Sequence, residues 1–227
     1  MSSHPGWSEA EQHLTASDAR LAELMAQAGP CGIRPPKRFP VFPALASSIV
    51  YQQLAGSAAA AILGRVQALF PRRQMTPARL LELEESALRG AGLSAAKLTA
   101  LRDLAAKTLD GTVPTLARIR RMSDDAIIEH LTQVRGIGKW TVEMMLIFRL
   151  GRPDVMPSGD YGVRKGFALT FQGRKPTTKV TPDLLAKPAD IERRAKKWAP
   201  WRSVASWYLW RACDLANADK ESLPSPR

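Results

Sequence analysis

Cysteine and histidine are scarce in this sequence, with two of the first and three of the second in 227 residues. Cys31 and Cys213 lie far apart and form no C-x-x-C or Cys/His pattern. That excludes a structural zinc site and an iron–sulfur cluster, and it fits a reducing compartment in which free thiols pack as small apolar groups. Long apolar runs are missing too, since nothing approaches the roughly 18 uncharged apolar residues of a membrane span. The opening MSSHPGWSEAEQ has no basic start followed by an apolar stretch, so it is not a secretory signal. No alternating pattern worth a β-strand occurs, and no repeat of 20–50 residues. A soluble intracellular protein is expected, cytoplasmic in a bacterium or nuclear in a eukaryote. Acidic residues are the other deficit. There are 21 of them against 33 Lys and Arg, for a formal charge of +12 and a pI near 10.2. Such an excess is the electrostatic footprint of a nucleic-acid binder.

What is present is helix. Apolar periodicity predicts a helix from Ser8 to Gln27 ended by Gly29-Pro30, then a proline-rich loop to Pro43. A long apolar-periodic region runs from Ala44 to Phe70, and short helical pieces lie between Met75 and Gly90. Ser94 caps a helix to Leu109, and Ser123 caps one from Asp124 to Val134. Lys139–Leu150, Asp160–Phe171, Asp190–Trp198 and Trp201–Asp219 follow. The polar, basic stretch Gly173–Pro182 reads as a loop or arm. The fold class is all-α.

The stretch VRGIGKWTV at 134–142 interrupts this pattern. Glycine inside a helix costs about 1 kcal/mol relative to alanine, so Gly136 and Gly138 fit a tight hairpin between two helices. Glycines there allow close approach of a ligand and positive φ. N–H groups at the start of the second helix, near Gly138 and Lys139, offer an anion site at the positive end of the helix dipole. On so basic a chain that anion is a nucleic-acid phosphate, with Arg135 and Lys139 beside it and Thr141 on the following turn. An ordinary tight turn between packed helices would use the same residues.

Downstream comes GRPDVMPSGDYGVRKGF, in which Asp160 stands 20 residues after Trp140. Hairpin, helix, Pro/Gly loop and aspartate in this order resemble the helix-hairpin-helix (HhH-GPD) superfamily of base-excision DNA glycosylases. The match covers 131–167; SSIVYQQLAGSAAAAI at 47–62 is similar to the DNA-facing helix near the start of the superfamily's helical barrel, and APWRSVASWYLWRA at 199–212 resembles the closing helix of the alkylpurine (3-methyladenine) branch. Two departures stand out. Val134-Arg135 precedes G-I-G where many members have Leu-Pro, and Pro157-Ser158-Gly159 precedes the aspartate. The resemblance implies a two-lobed helical fold with the active-site cleft between the lobes. One lobe would span about 47–152, and the other 1–46 with 153–227. An N-terminal β domain such as the bacterial relative carries is not expected.

The implied reaction is hydrolysis of the N-glycosidic bond of alkylated purines in duplex DNA by a monomer. Asp160 would stabilise the oxocarbenium-like sugar and orient water, although an Asp before a helix is also a good N-cap. Trp140, Tyr161 and Trp210 fall at positions lining the base pocket, where an electron-rich ring attracts a cationic purine, while Trp207 reads as core. Gln53 aligns with the side chain that fills the gap left by the flipped base, with Leu54 next. Glycosylases that are also lyases carry a lysine where this chain has Trp140, which points to a monofunctional enzyme that needs no cofactor. The resemblance also allows a monovalent cation, sodium or potassium, on the backbone carbonyls of Thr132, Val134 and Ile137. Basic runs at 173–179 and 193–197 would meet phosphate or solvent. Two alternatives stay open: a non-catalytic DNA-binding module, and a bifunctional glycosylase/lyase acting on oxidised bases.

Overall fold

The computed structural model describes residues 7–173 and 184–221, with side chains to Ala218; the basic segment 174–179 lies outside the described residues. Among these every regular element is a helix, and no helix is long and apolar enough to cross a membrane. It divides into a central unit, Pro36–Val142, and a terminal unit, Met1–Pro35 with Glu143–Arg227.

In the central unit α3 (Val41–Tyr51) buries Phe42, Leu45, Ala46, Ile49 and Val50, a stripe at helical spacing. Pro43 sits in its first turn, where a missing N–H is tolerated, so the helix begins inside the stretch read as a loop. A turn at 52–55 separates α3 from α4 (Gly56–Ala68), breaking the long apolar region in two. Short helices α5 (Pro77–Glu82) and α6 (Glu85–Gly90) precede α7 (Ala95–Leu109), which packs against α3 and α5 through Leu98, Leu101, Leu104 and Ala105. Within this unit side-chain oxygens cap the starts of α7 and of two later helices. Ser94 accepts the Lys97 N–H before α7, Thr115 that of Arg118 before α8 (Leu116–Ile119), and Ser123 that of Ala126 before α9 (Asp124–Leu131).

Helix α10 (Lys139–Met145) carries the chain into the terminal unit and widens to a π-helical turn over Leu146–Leu150. There α1 (Ser8–Ser17) and α2 (Ala19–Ala28) replace the single helix expected from Ser8 to Gln27. The break is Asp18, extended at φ −150° and ψ 101°. Its carboxylate is buried and accepts from Arg194 (both N–H groups at 2.8 Å), Trp198 (3.0 Å) and Lys197 (3.0 Å) on the distant segment formed by α12 (Pro188–Ala195) and the turn after it. Burial alone would raise its pKa; those donors outweigh it and hold it at about 2. The basic run 193–197 is therefore partly committed to structure rather than offered to phosphate: Arg194 and Lys197 hold Asp18, and Arg193 pairs with Asp190 at 2.6 Å.

The tightest crossing in this unit is α11 (Tyr161–Phe171) on α13 (Arg202–Glu221). A Cβ at Gly166 would lie 1.9 Å from the Leu209 carbonyl oxygen, so only glycine admits this approach. Trp198, Phe167 and Phe171 stack beside it with ring centroids 4.7–6.4 Å apart.

Candidate active site

The two units carry separate groups of candidate residues. In the terminal unit the loop after the π-helical turn delivers Asp160, and it is fastened to the start of α13. Arg202 holds Asp154 with two N–H groups at 2.6 and 2.7 Å. That bidentate contact keeps the Asp154 carboxyl below its usual range. Ser203, fully buried, accepts the Val155 N–H at 3.0 Å, donates to the Arg152 carbonyl at 2.7 Å, and through its own N–H reaches the Pro153 carbonyl at 2.9 Å. The turn closes with the Asp160 N–H on the Pro157 carbonyl at 2.9 Å.

Asp160 caps α11. Its Oδ1 accepts the Val163 N–H at 2.8 Å and the Trp210 indole N–H at 2.8 Å. The residue is 9% exposed, whereas Tyr161 beside it is 54% exposed. Capping and a chemical role were alternatives in the sequence; the carboxylate performs the first in a setting that permits the second. Trp210, read as pocket wall, is also the group that orients Asp160. Its approach depends on Gly162, where a Cβ would stand 2.5 Å from Trp210 Cδ1 and 3.2 Å from Asp160 Oδ1.

Phe148 is a further aromatic at this site that the sequence pattern does not mark. It lies in the π-helical turn, 38% exposed, with its ring centroid 5.4 Å from that of Trp210. Widened turns re-aim side chains relative to a regular helix, so the periodicity of 139–150 does not reveal it. Trp207, expected in the core, is only half-buried and packs where Gly32 leaves room, with Arg211 over its ring at 5.4 Å.

In the central unit Gln53 sits at the tip of the α3–α4 turn with φ 56°, a left-handed conformation uncommon for a residue with a Cβ. Gln53 is exposed and Leu54 is 38% exposed. The hairpin between α9 and α10 has Gly136 at φ +79°, which requires glycine. Gly138 is different. Its φ is not positive, and a Cβ there would meet nothing within 4 Å. Its carbonyl takes the N–H groups of Thr141 and Val142 at the start of α10. Arg135 and Lys139 are exposed, and Trp140 is 50% exposed, but Thr141 is only 7% exposed and packs inward. Thr132, Val134 and Ile137 lie along the same turn, and the Val134 carbonyl accepts the Ile137 N–H at 3.0 Å, which uses one of its two lone pairs. Neutral carbonyl oxygens suit a hard, weakly held cation. No group of three or more His, Cys, Asp or Glu side chains that could hold a metal ion occurs among the described residues.

Residues 46–190 match the HhH-GPD superfamily of base excision DNA repair proteins. The chain is 34% identical to Schizosaccharomyces pombe DNA-3-methyladenine glycosylase 1 over 95% of its own length and 92% of the relative's. The structure of the S. pombe 3-methyladenine DNA glycosylase Mag1 in complex with abasic DNA superimposes with a TM-score of 0.75 at 33% identity, covering 89% of this chain and 95% of that one. A Bacillus halodurans DNA-3-methyladenine glycosidase structure gives 0.80 at 31% identity, covering 98% and 95%.

Proposed function

The chain belongs to the HhH-GPD superfamily of base excision DNA repair proteins, and from that membership and the geometry around Asp160 we propose that it is a monofunctional DNA glycosylase releasing alkylated purines from duplex DNA. The observation that carries the reading is a buried carboxylate fixed by two N–H donors next to the exposed ring of Tyr161 and the paired rings of Phe148 and Trp210.

A base stacked in a duplex is out of reach, so the damaged nucleotide must swing out. Gln53 and Leu54 fill the space it leaves, with Gln53 able to hydrogen-bond the orphaned partner base. The hairpin holds the backbone. The open space above Gly138 is where a phosphate approaches the chain closely, and Arg135 and Lys139 add charge beside it. These contacts position DNA without reading its sequence.

A purine alkylated at N3 or N7 is cationic, and aromatic faces attract it by about 0.5–2 kcal/mol. When the C1′–N bond breaks, the base leaves with the bonding electrons and loses its charge, so little acid assistance is needed. Positive charge moves to the sugar, where the Asp160 carboxylate stabilises it. Water adds at C1′ and gives its proton to the Asp160 carboxylate, leaving an abasic site. The Val163 and Trp210 donors matter because a carboxylate that swings away stabilises nothing.

A lyase step needs an amine to form a Schiff base. Trp140 occupies the position at which the lyase members carry that lysine, so the backbone stays intact. The Thr132, Val134 and Ile137 carbonyls would hold a monovalent cation, which when bound supplies positive charge beside the phosphate. The protein acts where DNA is, inside the cell.

The test is a duplex carrying 7-methylguanine or 3-methyladenine. Free base is expected to appear with no strand breaks before alkali treatment and no covalent adduct on borohydride. Strand breaks with a trapped adduct would overturn the monofunctional reading, and absence of free base from both lesions would overturn the substrate class.

A further inference from the structure

One side of α7 does something its apolar residues do not. Lys97, Ala100, Asp103 and Lys107 are spaced three, three and four residues apart, so they stack along a single face. Lys97 Nζ donates to the carbonyls of Val50 and Gln52 at 2.7 and 2.8 Å, at the point where α3 enters the turn that carries Gln53. Ala100 lies against the hairpin, where a Cβ at Gly136 would come within 3.2 Å of its methyl carbon. Asp103 Oδ2 accepts the Arg135 N–H at 2.7 Å. Lys107 Nζ, paired with Asp103 at 2.8 Å, donates to the Gln133 carbonyl at 2.6 Å. Gln52 closes the ring, its Nε2 donating to the Gly136 carbonyl at 2.7 Å.

These contacts leave the core packing of α7 to Leu98, Leu101, Leu104 and Ala105. One lysine and one ion pair are instead directed at backbone atoms of two loops, and both loops are those assigned to DNA. The left-handed Gln53 is consistent with such fastening, because a disfavoured backbone persists only where its surroundings over-determine it. On a duplex the phosphates beside a damaged nucleotide and the gap it leaves are a fixed distance apart. A plug and a phosphate anchor that moved independently would meet that spacing only part of the time.

We propose that α7 is a positioning element: Lys97 sets the plug turn, the Asp103–Lys107 pair sets the hairpin, and Gln52 couples them, so that the plug-to-phosphate spacing exists before DNA binds. This rests on the reading of the two loops as DNA-binding. Lys97, Asp103, Lys107 and Gln52 act through the loops and need touch neither substrate nor water.

The experiment uses the full chain with Lys97→Met, Asp103→Ala, their double variant, Gln52→Ala and Lys97→Arg. Affinity is measured for a duplex containing a tetrahydrofuran abasic analogue and for the same duplex undamaged. Hydrogen exchange is followed at 52–54 and 133–138. Each of the first two single variants is expected to lose about tenfold of the preference for the abasic duplex, with undamaged affinity within about twofold. The double variant loses no more than the worse single, because either break already uncouples the loops. Lys97→Arg, which keeps the cation and its donors, recovers most of the loss. Lys97→Met also speeds exchange in the hairpin, which it does not touch. Additive losses, or a folded Lys97→Met that keeps its preference within twofold, would overturn the proposal. If Lys97→Met or Asp103→Ala fails to fold, Gln52→Ala carries the same expectation and the same overturning result. If the wild type itself shows no preference for the abasic duplex, the DNA reading fails. The α7 proposal is then decided by exchange alone, and unchanged exchange at 133–138 in Lys97→Met or Gln52→Ala overturns it.

Discussion

Gly162→Ala separates the orientation of Asp160 from the stability of the fold. The added Cβ would stand 2.5 Å from Trp210 Cδ1 and 2.9 Å from its Nε1. Ordinary carbon contacts need roughly 3.5 Å or more, so the indole must retreat by about 1 Å. That movement stretches the 2.8 Å bond from the indole N–H to Asp160 Oδ1 beyond hydrogen-bonding range. A hydrogen bond to a charged group contributes roughly 1.5–3 kcal/mol, which corresponds to about ten- to a hundredfold in rate if the bond is kept through the transition state. The stability change should be small by comparison, because alanine gains about 1 kcal/mol over glycine inside a helix and offsets part of the clash. The assay is single-turnover release of 7-methylguanine from duplex DNA, alongside thermal unfolding. A rate within twofold of wild type, in a protein of unchanged Tm, would refute the role given to the Trp210–Asp160 bond.

Gly166→Ala is the opposite case. Its Cβ meets the Leu209 backbone oxygen at 1.9 Å, which cannot rotate away, so α11 and α13 must part. A loss of about 3 kcal/mol and a Tm lower by about 10 °C are expected in calorimetry. Asp18→Asn should cost about 3 kcal/mol at pH 7, because Arg194 and Lys197 lose their counter-charge. Asp18 has its folded pKa depressed to about 2, so its contribution is complete above the unfolded value near 3.9 and fades as pH falls toward 2. Urea midpoints of wild type and Asp18→Asn should therefore converge between about pH 4 and pH 2; a constant gap across that range would contradict the assignment.

Where a feature of this fold is local, its residues announce it. Ser94 and Ser123 stand at the starts of the helices they cap, and G-I-G interrupts apolar periodicity where the chain turns. Asp160 likewise precedes its helix directly. The break at Asp18 has no such signal, because SDAR contains neither glycine nor proline; its cause is a set of donors more than 170 residues away. The bond between Trp210 and Asp160 depends on the glycine at 162, and periodicity along α13 carries no trace of that requirement. Phe148 escapes because a widened turn re-aims it. Lys97, Asp103 and Lys107 look like a solvated face of α7 until their carbonyl and N–H partners are known.

The most direct measurement compares wild type with Asp160→Asn for release of free 7-methylguanine and 3-methyladenine from duplex DNA under single-turnover conditions. Asparagine keeps an oxygen for the Val163 and Trp210 donors, so the cap and the indole should stay in place while the charge is lost. Release is expected to fall by at least about a hundredfold, with Tm and affinity for abasic duplex retained. Release within tenfold of wild type would remove the Asp160 carboxylate from the chemistry.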